Sequence, residues 1–148
     1  MAQQWTLSQA DAERLIDEIK KTFEREFTMP APGEHNREFR VKGVGGTEYT
    51  IAPYQGKRDP SKHSVSARTS RNNIQLMRLC VNGAPHTNPD GTVTSGTHLH
   101  VYREGYDART ADPVDIESPD FVEDTILLLK KFNVIEIPSF QDGIKVGI

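Results

Sequence analysis

The sequence predicts an α+β domain: an antiparallel sheet of about five short strands, with an N-terminal and a C-terminal helix packed on one face. Three observations carry this expectation. Apolar residues recur at helical spacing near both ends, over residues 8–27 and again after Ser118. Between them lie short runs with two-residue alternation, bounded by Gly, Pro, Asn and Asp. The order helix, strands, helix is that of a sheet covered on one side.

The first helix begins at Ser8, an N-cap type, with Asp11 three residues on. Ala12, Leu15, Ile16, Ile19, Phe23 and Phe27 form its apolar stripe, and Glu13, Asp17, Lys20, Lys21 and Glu24 its polar face. Trp5 precedes it as a staple-like residue, and Met29-Pro30-Ala31-Pro32-Gly33 ends it. Strands are expected over 37–42 and 47–53, around a hairpin turn at Gly43-Val44-Gly45-Gly46. Residues 54–62 read as a loop and 64–69 as a third strand. The run 74–81 is the clearest strand, rich in branched residues. A long loop over 82–96 holds the turn Asn88-Pro89-Asp90-Gly91, and 97–103 is the next strand. Ser118-Pro119 starts the second helix, with Phe121, Thr125, Leu128 and Phe132 along one stripe. Asn133 caps it, and 134–137 adds a last short strand.

The chain of 148 residues fits a single domain, 1–148, with a core of its own. Apolar residues make up 35%, low for a globular protein but above the disordered range. One cysteine, Cys80, excludes an internal disulfide and a cysteine-rich zinc site. No apolar run is long enough for a membrane helix, and the first residues lack a signal-peptide pattern. A cytoplasmic protein is the resulting expectation, with no membrane partner and no cofactor assigned.

Charge is segregated. Residues 1–36 hold 4 Lys/Arg and 7 Asp/Glu, residues 37–79 hold 9 and 3, and residues 80–148 hold 5 and 11. The basic middle includes Arg68, Arg71 and Arg78 and could attract phosphate. It could equally be a solvated face that pairs with acidic helices.

Three of the five histidines, His86, His98 and His100, lie within fifteen residues of one another. Strand alternation places His98, His100 and Tyr102 on one face, with Leu99 and Val101 on the other. The 74–81 strand is the expected neighbour, so register decides whether Arg78 joins them. With Cys80 opposite His100, Arg78 would face Tyr102. His35 and His63 fall in polar stretches and read as solvated, and Cys80 as a small core residue.

Three functions fit this pattern. The first is metal-free, ribonuclease-like or phosphodiesterase-like cleavage. His98 and His100, with His86 in reach, would exchange protons near neutrality, and Tyr102 would orient or donate. Arg78 and Arg103, aided by Arg68 and Arg71, would bind phosphate. RNA or a nucleotide would be the partner, and no metal is needed. The second is a non-catalytic module that binds a protein or nucleotide. The third is a metal-dependent hydrolase, with His98 and His100 joined by His86 or Asp90 as ligands.

The segments Leu76–Gly91, His98–Tyr106 and Phe132–Pro138 resemble a small bacterial and phage protein family of unknown function. The resemblance covers roughly residues 74–143, and the N-terminal half only loosely. It implies a prokaryotic or phage setting, in which small nucleases, toxins and defence or counter-defence proteins occur.

Overall fold

The computed structural model describes residues 7–116 and 118–141. The Trp5 expectation falls outside them. The chain runs α1 (Gln9–Asp17), β1 (Lys20–Thr22), β2 (Glu26–Thr28), β3 (Phe39–Gly43), β4 (Glu48–Gln55), β5 (His63–Thr69) and β6 (Gln75–Thr87). It continues through β7 (Val93–Val101), β8 (Ala111–Pro113), α2 (Phe121–Lys131), β9 (Val134–Glu136) and β10 (Ser139–Gln141).

The sheet corrects the expected fold. The molecule is mostly β: a curled, eight-stranded mixed sheet in the order β8-β7-β6-β5-β4-β3-β1-β9, not an antiparallel one of about five strands. β1 pairs β9 in parallel, and β10 pairs β2 in parallel in a separate two-stranded sheet. Only short helices flank it.

Two causes account for the difference. First, the expected helix over 8–27 stops at Asp17. Ser8 caps it as anticipated, its Oγ accepting from Asp11 N at 3.1 Å. Glu18 is already extended. Lys20 then turns inward, and its Nζ donates to the carbonyls of Ile16, Glu18 and Phe132 at 2.8, 2.9 and 2.7 Å. Those bonds satisfy carbonyls at the ends of both helices, which a longer α1 would not expose. Thr22, Phe23, Phe27 and Thr28 suit strands, and pairing with β3, β9 and β10 overrides the helical spacing. Ile19 and Phe23 are accordingly exposed. Second, the expected loop over 82–96 is strand for most of its length. β6 and β7 form one long hairpin closed at Asn88–Gly91, with register shifts between Cys80 and His86. Gly91 takes φ +90°, open to glycine at little cost.

Register assigns the faces. Leu79 lies opposite Leu99 on one side and Val65 on the other, and with Met77, Val81 and Ala67 it points into the core. That core also takes in Ala12, Leu15 and Ile16 of α1 and Leu128 and Leu129 of α2. Tyr49 is enclosed there, its hydroxyl donating to the Glu18 carboxylate, with the Leu15 carbonyl 3.3 Å away. The alternate residues Arg78, Cys80, His98 and His100 therefore face away from the core. α2 begins at Asp120, whose carboxylate accepts from Glu123 N at 2.9 Å, so Ser118 and Pro119 precede the helix.

Candidate functional site

The outward face of β6 and β7 forms the floor of a cavity of about 470 Å³. Cys80 pairs with His98, and Arg78 with His100. The register differs by two residues from the one considered above, which leaves all four side chains on one face. Beyond the register shifts the hairpin folds His86 over this face. Its ring centroid lies 4.7 Å from that of His100 and 6.0 Å from that of His98, and the latter two are 5.0 Å apart.

Backbone carbonyls fix two of these rings. His100 Nδ1 donates to the Ala108 carbonyl at 2.8 Å, which leaves its Nε2 as the lone-pair nitrogen. His86 Nε2 donates to the Arg109 carbonyl at 2.6 Å, which leaves Nδ1. The third ring differs. His98 Nδ1 is buried and has no hydrogen-bond partner among the described residues. One ligand atom each from Cys80, His98 and His100 lies within 4.8 Å of the others.

Burial lowers the His100 pKa to about 4, with the positive neighbours adding to the effect and the Ala108 carbonyl opposing it. His98 is lowered chiefly by burial too. The nearby Gly96 carbonyl opposes that shift without meeting hydrogen-bond geometry. Both rings are therefore neutral near pH 7. Burial raises the Cys80 thiol, and the Arg78 charge opposes this.

The cavity wall carries Arg78, Arg109 and Lys62, and no Asp or Glu among the described residues. The Arg109 guanidinium also donates to the carbonyls of Tyr106 and Gly105. Arg78 is exposed and forms no ion pair among the described residues.

Of the sequence-derived candidates, His86, His98, His100 and Arg78 meet here. Tyr102 does not. It lies past the end of β7, 1% exposed, with its hydroxyl donating to the Leu7 carbonyl at 2.9 Å and accepting from Leu7 N. Arg103 is exposed and stands 3.9 Å from Asp112. Arg68 is paired with Glu38 at 2.8 Å and, with Arg71, lines a different cavity. Asp90 caps its own turn, accepting from Thr92.

His63 is not solvated. It is buried on the core side of β5, with Nε2 2.6 Å from Asp124 of α2. His35 stacks on Tyr54 at 4.7 Å. Cys80, Arg109, Lys62 and Tyr54 were not read as site residues. For Cys80 a signal existed, since it stands two residues from Arg78 in a strand and so shares its face. Lys62, Arg109 and Tyr54 come from segments whose return to this face only tertiary structure fixes.

No curated protein and no solved structure matches the chain. A family match does exist, and it extends across the N-terminal half as well as the histidine hairpin. The chain belongs to DUF6978, a family of unknown function, which it matches over residues 7–134.

Proposed function

We propose that the cavity is a divalent-metal centre of a phosphodiesterase-like hydrolase, with His98, His100 and Cys80 as ligands. Two observations carry the reading: one ligand atom from each of these residues lies within 4.8 Å of the others, and His98 has a buried ring nitrogen without a partner among the described residues. A nitrogen–nitrogen–sulfur set suits zinc best among common divalent ions. The bond from His100 to the Ala108 carbonyl is the outer support that metal-bound imidazoles ordinarily have. Metal binding would displace the thiol proton that burial otherwise retains.

Three protein ligands leave one position for water, whose pKa such a site lowers towards neutrality. A metal held by these three residues would supply a nucleophilic oxygen to phosphorus, the new P–O bond forming as the ester P–O bond breaks and the leaving oxygen takes a proton. His86, beside His100 with its Nδ1 lone pair free, would take the proton that the nucleophilic water gives up and return it to the leaving oxygen. Arg78, Arg109 and Lys62 favour an anionic substrate, because no carboxylate on the described wall offsets their charge. The metal-free alternative has less support. Burial holds both members of its proton-exchanging pair, His98 and His100, neutral near pH 7, and Tyr102 and Arg103 lie elsewhere.

The test is hydrolysis of an end-labelled RNA and of bis(p-nitrophenyl) phosphate by zinc-loaded and EDTA-treated protein. Turnover is expected only when metal is present. It is lost in His98→Ala, while Arg78→Ala raises KM about tenfold or more, in line with a charge-assisted contact. Equal turnover in EDTA would return the account to acid–base chemistry. Metal bound without turnover would remove the hydrolase.

A further inference from the structure

The cavity extends beyond the metal ligands. Cross-strand pairing carries one row of side chains from β7 to β4: His98, Cys80, Ser64 and Tyr54. Directly paired residues share a face, so Tyr54 looks onto the same side as the histidines. Tyr54 and Ser64 line the same cavity as Arg78 and His98. Between the histidines and Tyr54 the floor is low, because Ser64 is small. The exposed His35 ring lies against Tyr54 at 4.7 Å with an interplanar angle of 18°. This stack braces the tyrosine as a flat aromatic wall on a polar face of the sheet. Arg78 lies in the row of Ser66 and Ala52, two residues along from the row of Tyr54, so two strand spacings and two residues of rise separate them by about 12 Å. That is a span one nucleotide bridges, with its phosphate at Arg78 and its base at Tyr54.

We propose that Tyr54, braced by His35, is a base-stacking subsite, and that the substrate of the histidine cavity is a nucleotide with its phosphate at Arg78. The proposal deepens the phosphodiesterase reading and rests on it. Charge alone would admit any phosphate ester. The aromatic wall selects esters with a flat ring at the far end, and it does so with little preference among bases, because every base has a π-face. Ser64 supplies a hydroxyl on the floor without filling it.

The test is isothermal titration calorimetry of the zinc-loaded protein with adenosine 5′-monophosphate and with ribose 5-phosphate. Stacking strengthens binding about tenfold or more per base, so the nucleotide is expected to bind tighter than the sugar phosphate by that factor. Tyr54→Ala should bring the nucleotide down to the affinity of ribose 5-phosphate, whose own affinity stays unchanged. Tyr54→Phe should retain the difference. Equal affinity of wild type for the two ligands overturns the subsite and leaves the phosphate reading standing. Parallel loss of both ligands in Tyr54→Ala, with Tyr54→Phe like wild type in its melting, also overturns it. If neither ligand binds wild type, the phosphate reading fails and the subsite falls with it.

Discussion

A buried ring nitrogen without a hydrogen bond costs roughly 1–3 kcal/mol, and His98 Nδ1 has no partner among the described residues. In metal-free protein the residue should therefore be a burden. His98→Leu is expected to leave stability in EDTA unchanged, or to raise it by about 1 kcal/mol, while abolishing zinc binding. Urea denaturation in EDTA checks the first part. A marked loss of stability would mean that the nitrogen is satisfied in solution. His63 makes the opposite case. Its Nε2 lies 2.6 Å from Asp124, both groups are buried, and the pair joins β5 to α2. Asp124→Ala should cost about 1–3 kcal/mol and leave zinc affinity alone, as read by denaturation and by metal titration. The two buried histidines lie on β5 and β7, with β6 between them, and differ in partner: His63 meets Asp124, while His98 Nδ1 meets none among the described residues.

Among the elements, the β6–β7 hairpin does most to build the site, and Asn88 holds its tip in place. The Asn88 side chain donates to Thr92 Oγ1 and to the Ala111 carbonyl, and accepts from Ala111 N at 2.8 Å. The hairpin turn is thereby tied to β8, close in sequence to the Ala108 carbonyl that orients His100. Asn88→Ala should cost about 1–3 kcal/mol and speed amide exchange across β8. Zinc affinity should weaken with it, since outer-shell support is worth about 10–100-fold. Unchanged exchange in β8 would show that the tie is dispensable.

The hairpin also marks where the sequence was legible. The Asn88–Gly91 turn and the alternation of His98 and His100 follow from local chemistry, and both hold in the fold. The strand content of 82–96 does not, because polar, glycine- and proline-bearing residues there pair only once the hairpin is in register. β1, β2 and β10 were hidden for a related reason. Each has three residues, too few to show a period, and the first two lie under a helical spacing that breaks at Glu18.

At the scale of the whole molecule, Lys20 links the two helices to the sheet. It is fully enclosed, donates to three carbonyls from the ends of α1 and α2, and lies 3.9 Å from the centroid of Phe132. Burial lowers its pKa to about 8, against the pull of Glu18 and Asp17. Between about pH 8 and 10.5 the unfolded chain therefore binds more protons at this residue than the folded one. Stability contributed by Lys20 should rise with pH across that window and be at its lowest below it. The difference in unfolding free energy between wild type and Lys20→Met should shift in favour of wild type from pH 7.5 to 9.5. A difference that stays flat would place the pKa at its ordinary value. This inward lysine is also why the helix reading over 8–27 failed, since alternation of charge on a solvated face and one buried cation look alike in sequence.

The charge layout has a similar lesson. The basic middle third does reach the cavity, through Arg78 and Lys62, but Arg68 is spent on Glu38. Sequence gives the balance of charge, and pairing decides which cations remain for a ligand. No helix among the described residues is long and apolar enough to cross a membrane.

The central claim is that His98, His100 and Cys80 hold a metal ion, and metal stoichiometry tests it most directly. Purified protein, stripped with chelator and dialysed against zinc, should retain about one ion per chain. His98→Leu and His100→Gln should retain none, while Asp124→Ala retains the ion as wild type does. Zinc should also raise the melting temperature of wild type by mass action, and not that of the two histidine variants. Wild type that keeps no metal after dialysis, with an unfolding transition that zinc does not move, would contradict the account.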